Sequence, residues 1–175
     1  MSPWVGAAIP RKEDARLTTG RGAYLDDIVR PGLLHVAMLR SPHAHARIVS
    51  IDTAGAERLS GVSAVLTGAE AAATSQPIRP LIPTPAPLRD WCLAVDRVRF
   101  VGEPVAAVAA RDRATAEDAL EHIRVTYEPL PAVADPEAAM RPDAPLLYPE
   151  LGTNVLWHDV LSYGDVDGAF ARAHG

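Results

Sequence analysis

The pair His43 and His45 is the first feature of the sequence that could do chemistry. Two imidazoles separated by one residue on an extended segment can face the same side, where they could hold a metal ion. No carboxylate or cysteine accompanies them at a suitable spacing, and a protein metal site needs further ligands. We therefore interpret the two histidines as turn or hydrogen-bonding residues.

Carboxylates provide two further candidates. Glu103 lies between Gly102 and Pro104, which fixes its side chain at the start of a strand. It could act as a general acid or base, but no titratable residue adjoins it, so a structural role in hydrogen bonding to backbone amides of its loop is favoured. The neighbours Asp26 and Asp27 rarely converge on one cation, so a solvated turn or an interdomain salt link is expected instead.

Two other patterns carry less information. The Gly-Arg-Gly run around Arg21 could cradle a phosphate only between a strand and a helix, whereas residues 23–27 are acidic and not helix-like. The two glycines are better explained by a tight bend of an arm against a neighbouring subunit. Cys92 is expected to be a buried, inert thiol.

Composition narrows the possible functions. The 175 residues include 17 basic and 22 acidic side chains, for a net charge of −5, which gives no electrostatic footprint for nucleic acid or an anionic membrane. A single cysteine cannot form an internal disulfide or ligate an iron–sulfur cluster. We recognise no signal peptide and no apolar run of membrane-spanning length, so a cytoplasmic protein is expected.

Short strands and helices must position these side chains. Apolar and β-branched runs predict strands at residues 33–40, 47–51, 62–66, 98–101, 105–110 and 124–128, the first of them buried. A short helix is predicted from Asp52 or Thr53 to Leu59, and a second begins at Asp112. The second helix has an apolar stripe at positions 116, 119, 120 and 123, and residues 98–128 form a βαβ-like pattern.

Proline and glycine mark the boundaries between segments. Residues 1–30 are predicted to form an N-terminal arm, residues 31–133 a domain and residues 134–153 a proline-rich linker. Five prolines between positions 77 and 88 predict a long excursion without regular pairing. Residues 154–175 read as the beginning of a second domain, with a strand over 154–162 and a helix capped by Asp165.

Three motifs in register carry a family resemblance. The first is RKED, LTTG and YLDD within residues 11–27, and the second is LHVAMLRSPHAHARI at residues 34–48. The third is VGEPVA from residue 101, followed by AEDA from residue 116 and YEPLP from residue 127. Together they resemble the α/β hammerhead region of the xanthine dehydrogenase, aldehyde oxidase and aerobic carbon monoxide dehydrogenase family. The resemblance implies an α+β fold, with short mixed strands and two helices, followed by the start of a molybdopterin-binding domain.

The resemblance also implies how the whole enzyme is organised. The family's large subunit holds a molybdenum–pterin cofactor, and electrons leave through an iron–sulfur small subunit to a flavin medium subunit. The catalytic and pterin-binding residues follow the hammerhead, so none is transferred to this chain, and the segment alone is expected to be inactive. The motif residues expected to serve the structure or a subunit interface are Arg21, Tyr24, Asp27, Arg40, His43, Gly102 and Glu103.

Three functional interpretations remain open at this point. The first is a structural and docking segment of a molybdenum-dependent hydroxylase or dehydrogenase large subunit. The second is a separately encoded subunit of a split enzyme, which would act with a second polypeptide. The third is a free-standing module that binds a small molecule or a protein.

Overall fold

A computed structural model describes residues 4–79, 81, 88–161 and 163–173. Its contacts divide the chain into two units, Met1–Leu34 and His35–Gly175, and each is described by itself. The first unit contains helix α1, Asp14–Thr18, and a 3-10 helix, Leu25–Asp27. The expectation that residues 23–27 are not helix-like was wrong, because the Asp27 carboxylate accepts a hydrogen bond from the Tyr24 backbone N–H and so stabilises the short turn.

The second unit is built on two antiparallel sheets of three strands. Sheet A has the order β1-β5-β3, with β1 His35–Arg40, β3 Val62–Thr67 and β5 Pro104–Ala110. Sheet B has the order β4-β2-β6, with β2 Ala46–Asp52, β4 Arg97–Val98 and β6 Arg124–Pro129. The helices are α2 Ala54–Glu57, α3 Gly68–Thr74, α4 Arg113–Leu120, α5 Pro136–Ala139 and α6 Val166–Arg172, with a 3-10 helix at Pro149–Leu151.

Strand β5 joins the two halves of the core. Ala106 and Val108 belong to a cluster with Ala119 of α4, and Val105 belongs to a second cluster with Val98 of β4. Helix α4 covers sheet A from one side because its small residues Ala116 and Ala119 allow close approach. Both clusters of the core therefore include residues of one nearly continuous apolar strand.

Two helix caps, Asp112 and Asp165, agree with the sequence expectations, whereas Thr53 precedes α2 without a capping side-chain bond. The Asp112 carboxylate accepts a hydrogen bond from the Thr115 N–H at 2.7 Å, and Asp165 accepts one from the Gly168 N–H at 2.9 Å. Helix α3, which the sequence analysis missed, begins with a capping box in which Thr67 and Glu70 satisfy each other's backbone N–H groups. The bond from the Thr67 N–H lowers the pKa of Glu70.

Several expectations were wrong about pairing and exposure. The βαβ-like pattern does not form a parallel unit, because β5 and β6 lie in different sheets and every pairing is antiparallel. The strand expected over 98–101 ends at Val98, where the chain enters a turn. Strand β1 is not buried, since it forms one edge of sheet A and every second side chain is exposed.

The ends of the second unit also differ from expectation. Residues 154–161 do not form the expected strand, and no strand among the described residues pairs with them, while residue 162 lies outside the described residues. Much of the expected excursion over 77–88 also lies outside them, although Ile78 bridges to Asp90. No helix in the described part of the chain combines the length and apolar character needed to span a bilayer.

Candidate docking site at the Gly102 turn

The end of β1 holds the turn before β5 at three points. Arg40 donates a hydrogen bond from Nη1 to the Gly102 carbonyl at 2.8 Å. The Gly102 N–H donates to the Ser41 carbonyl at 2.8 Å, and the Ser41 N–H donates to the Glu103 carbonyl at 2.9 Å. The structure thus brings Arg40, Gly102 and Glu103 together, and fixes the turn to its neighbouring strand.

The turn presents two apolar side chains to solvent. Gly102 has a φ of +90°, a conformation that residues with a Cβ rarely adopt, which explains the glycine at this position. The Glu103 N–H closes the turn on the Phe100 carbonyl at 3.2 Å. Phe100 and Val101 remain 56% and 65% exposed. A rigid turn with an apolar tip can dock into a pocket of a partner with little loss of backbone entropy.

The Glu103 side chain is bound to its own loop. Its carboxylate accepts a hydrogen bond from the Arg99 backbone N–H. Burial raises the pKa of this half-buried carboxyl, while the bond from Arg99 opposes the increase. The carboxylate thus hydrogen-bonds a backbone amide of its loop, and a purely structural role stays a prediction.

The two histidines make different contacts. The His43 ring packs against the Tyr127 ring with centroids 4.9 Å apart, and the His43 N–H donates to Ser41 Oγ at 3.0 Å. His45 is buried, and its Nδ1 lies 2.8 Å from the Pro131 carbonyl. Across the described residues, no group of three or more His, Cys, Asp and Glu side chains could hold a metal ion. The His43 ring is thus engaged in packing and the His45 ring in hydrogen bonding, while the absence of a metal stays a prediction.

The candidates of the first unit form a separate local structure. The Arg21 N–H donates to the Arg16 carbonyl at 2.9 Å, and the Tyr24 N–H donates to the Asp27 carboxylate at 2.9 Å. The Tyr24 side chain is exposed. These contacts explain the local conformation, and a role at an interface stays a prediction.

Sequence reasoning missed a cluster formed by Asp90, Arg99 and Tyr148. Tyr148 Oη donates to Asp90 Oδ1 at 2.7 Å, and the Arg99 guanidinium carbon lies 4.3 Å from the Tyr148 ring centroid. Burial and the hydrogen bond to Asp90 raise the pKa of Tyr148. The one usable signal was a tyrosine inside a proline-rich segment, where an aromatic side chain favours anchoring over free movement.

A small cavity adjoins this cluster. Its volume is about 150 Å³, and its walls include Arg89, Trp91, Leu93, Asp96 and Arg99. Cys92, in the same segment, is exposed, so the expectation of a buried thiol was wrong. The side chains of its neighbours Leu93 and Ala94 fill the core instead.

The comparison with protein families adds the decisive observation. Residues 19–131 match the family described as aldehyde oxidase and xanthine dehydrogenase, a/b hammerhead domain. The chain belongs to this family. The match includes both sheets of the second unit, the Gly102 turn and all three candidates of the first unit, Arg21, Tyr24 and Asp27.

Members of the family with solved structures or curated descriptions share much of this sequence. The chain is 48% identical over 147 residues to the carbon monoxide dehydrogenase large chain of Afipia carboxidovorans. The aligned residues make up 82% of this chain and 17% of that protein. It resembles quinoline 2-oxidoreductase from Pseudomonas putida 86 with a TM-score of 0.75 and 44% identity, over 97% of this chain and 22% of that one. For the Cu,Mo-CO dehydrogenase the TM-score is 0.71 and the identity 46%, over 83% and 18% of the two chains.

The chain spans about a fifth of the length of these relatives. The family implies a molybdenum–pterin cofactor, so the residues present can be tested for a fit. The cavity beside Arg99, about 150 Å³, is smaller than the roughly 300–1,000 Å³ of a typical small-molecule site. The residues that line this cavity therefore do not fit the cofactor.

Proposed function

We propose that this chain is the N-terminal structural and docking segment of a molybdenum-dependent hydroxylase or dehydrogenase large subunit. The observation that carries the proposal is the family match, together with the small share of the relatives' length that this chain covers. Almost the whole chain, 97%, aligns with 22% of the quinoline 2-oxidoreductase chain at a TM-score of 0.75. The hammerhead would brace the parts of the subunit that hold the cofactor, and the chemistry would take place in those parts.

Exposed apolar side chains support a role in assembly. Beyond the turn tip, Trp157, Val160, Leu161 and Phe170 are all exposed in the last part of the second unit. Exposed apolar surface carries a hydration cost that an interacting protein surface removes. These side chains are suited to contact the remainder of the large subunit.

The proposed partners follow from the same family. They are the remainder of the molybdenum-binding subunit, an iron–sulfur small subunit and a flavin medium subunit, in the cytoplasm. The Gly102 turn is suited to docking because it is rigid, apolar at its tip and exposed, and the partner that we propose for it is the iron–sulfur subunit. Molybdenum–pterin, iron–sulfur clusters and FAD would all be held by those other parts.

Co-expression tests this assignment. The chain is expressed alone, and together with a polypeptide that carries the remaining large-subunit regions and with the small and medium subunits. We expect no molybdenum and no dye bleaching with aldehydes or purines from the chain alone, and co-elution of all chains in the second case. Molybdenum or turnover in the chain alone would overturn the proposal.

A matched pair of variants tests the turn. We expect Val101→Asp to weaken co-elution of the small subunit at least tenfold, because a charge at the apolar tip must be desolvated on docking. Val49→Asp, at another exposed valine on β2, should leave co-elution within twofold of the unmodified chain. Equal behaviour of the two variants would remove the turn from the interface.

A further inference from the structure

We propose that Asp90, Arg99 and Tyr148 form a clamp that fixes residues 134–154 to the hammerhead sheets and sets the direction in which the chain continues. This Tyr148 clamp is a positioning device. The clamp's effect on the assembled enzyme rests on the proposed function. The clamp itself can be tested in this chain alone. None of its three residues belongs to the motifs that carry the family resemblance.

Tyr148 is held from three directions. Its hydroxyl donates to Asp90 Oδ1 at 2.7 Å, and Arg99 lies over its ring at 4.3 Å. Arg99 also donates from Nε to the carbonyl of the preceding residue, Leu147, at 3.2 Å. A cation over an aromatic face and a hydrogen bond to a carboxylate are both stronger in a half-buried site than in open water. Together these contacts fix the ring plane, the hydroxyl and the backbone.

The residues that Tyr148 contacts are themselves held by neighbouring segments. Asp90 bridges through its backbone to Ile78, whose N–H donates to the Asp90 carbonyl at 2.7 Å. Arg99 directly follows the buried Val98 of β4, and its backbone N–H is bound by Glu103. The clamp thus connects the segment to sheet B and to the Gly102 turn.

Asn154 braces the same segment internally. Its Nδ2 donates to the carbonyls of Ala139 at 3.0 Å and Pro145 at 2.9 Å, and its Oδ1 accepts from the Leu147 N–H at 3.0 Å. One amide side chain therefore ties together three points of the segment. These bonds hold Leu147 and Tyr148 in the conformation that Arg99 and Asp90 engage.

Prolines reduce the entropy that this ordering costs. The segment contains prolines at positions 136, 142, 145 and 149, each with a restricted φ. Fewer backbone states in the unfolded chain mean that less conformational entropy is lost on folding. The segment predicted to be a linker would then act as a rigid spacer, and residues after Asn154 would leave the sheets in one direction.

Hydrogen exchange of the 175-residue chain tests the clamp without any partner. We expect Tyr148→Ala to increase amide exchange over residues 140–154 at least tenfold and to leave β5 unchanged. Asp90→Ala should have a smaller effect of the same kind, while Asp90→Asn should retain most of the protection, because its side-chain oxygen can still accept the tyrosine hydroxyl. Tyr163→Ala, the same change at an exposed tyrosine, is the matched control and should leave the exchange of residues 140–154 unchanged.

A distance measurement tests positioning itself. Spin labels at Ser50→Cys in β2 and His158→Cys beyond the clamp, in a Cys92→Ser background, should give a narrow distance distribution. Tyr148→Ala should broaden it at least twofold, a result that a loss of global stability would not give while β5 stays protected. Unchanged exchange and an unchanged distribution in Tyr148→Ala would overturn the clamp. If the clamp responds as expected but the chain joins no larger subunit, only the proposed function fails.

Discussion

The two faces of sheet A have similar apolar side chains but different surroundings. On the inner face, Val108 of β5 is fully buried beneath helix α4. On the outer face, Val36 of β1 lies opposite Ala109 and is 60% exposed, and Met38 lies opposite Ala107 and is also exposed. The same hydrogen-bonded ladder therefore supports one covered face and one uncovered face.

This difference teaches how to interpret apolar patterning. A sheet that faces water on one side usually alternates apolar and polar residues, whereas a sheet covered on both sides is apolar throughout. Strand β5 reads Pro-Val-Ala-Ala-Val-Ala-Ala, without a polar residue, although only one of its faces is covered by α4. Such a pattern supports the proposed place of the chain within a larger protein.

The largest loss of stability is expected from a substitution on the inner face of sheet A. Val108→Ala removes two methyl groups from a fully buried site and leaves a cavity, so the free energy of unfolding should fall by about 2–3 kcal/mol. Chemical denaturation of the purified chain measures this change. A loss below about 0.5 kcal/mol would show that the inner face is not the cooperative core.

A smaller loss is expected where α4 covers that face. Ala119→Gly removes a buried methyl group and lowers helix propensity, so the free energy of unfolding should fall by about 1–2 kcal/mol. Ala114→Gly, at an exposed position of the same helix, controls for propensity and should cost about 1 kcal/mol or less. Equal losses in the two variants would mean that α4 contributes no packing to sheet A.

Glu103, at the turn before β5, is expected to make the stability of the chain depend on pH. Because burial raises the pKa of its carboxyl in the folded chain, the protonated form is favoured by folding. Its contribution to stability is complete below the ordinary glutamate pKa of about 4.3 and is lost as the pH rises through the folded value. Glu103→Gln does not titrate, so its stability relative to the unmodified chain should increase across that window. Parallel pH profiles of the two proteins would contradict this.

The smallest effect is expected on the outer face. Val36→Ala makes the same chemical change as Val108→Ala, but at an exposed position, so the free energy of unfolding should change by no more than about 0.5 kcal/mol in the isolated chain. The same denaturation assay measures it. A loss similar to that of Val108→Ala would mean that the outer face is covered in solution.

Local features of the fold could be predicted from the sequence. β-Branched residues located β2, and Asp112 and Asp165 located the starts of α4 and α6, because both signals act over a few residues. The family resemblance supplied the α+β class and the hammerhead, which the family match confirms.

Features that depend on distant partners could not be predicted in this way. Nothing near β5 and β6 indicates that they pair in different sheets, since the choice depends on β1, β2 and β3. Glu103 was placed in its loop correctly because its acceptor role is local. The contact between Tyr148 and Asp90 joins residues 58 positions apart, so no local pattern announces it.

The most direct test of the central claim is a replacement experiment. The aligned segment of the Cu,Mo-CO dehydrogenase chain, 46% identical, is exchanged for this chain, and molybdenum content and turnover are measured in the assembled enzyme. If the segment contributes structure and docking, the hybrid should contain molybdenum and retain turnover within about tenfold, roughly 1.4 kcal/mol in barrier height. A hybrid with a full complement of molybdenum and all subunits bound, but no turnover, would contradict the account, because it would place a required chemical group within this segment.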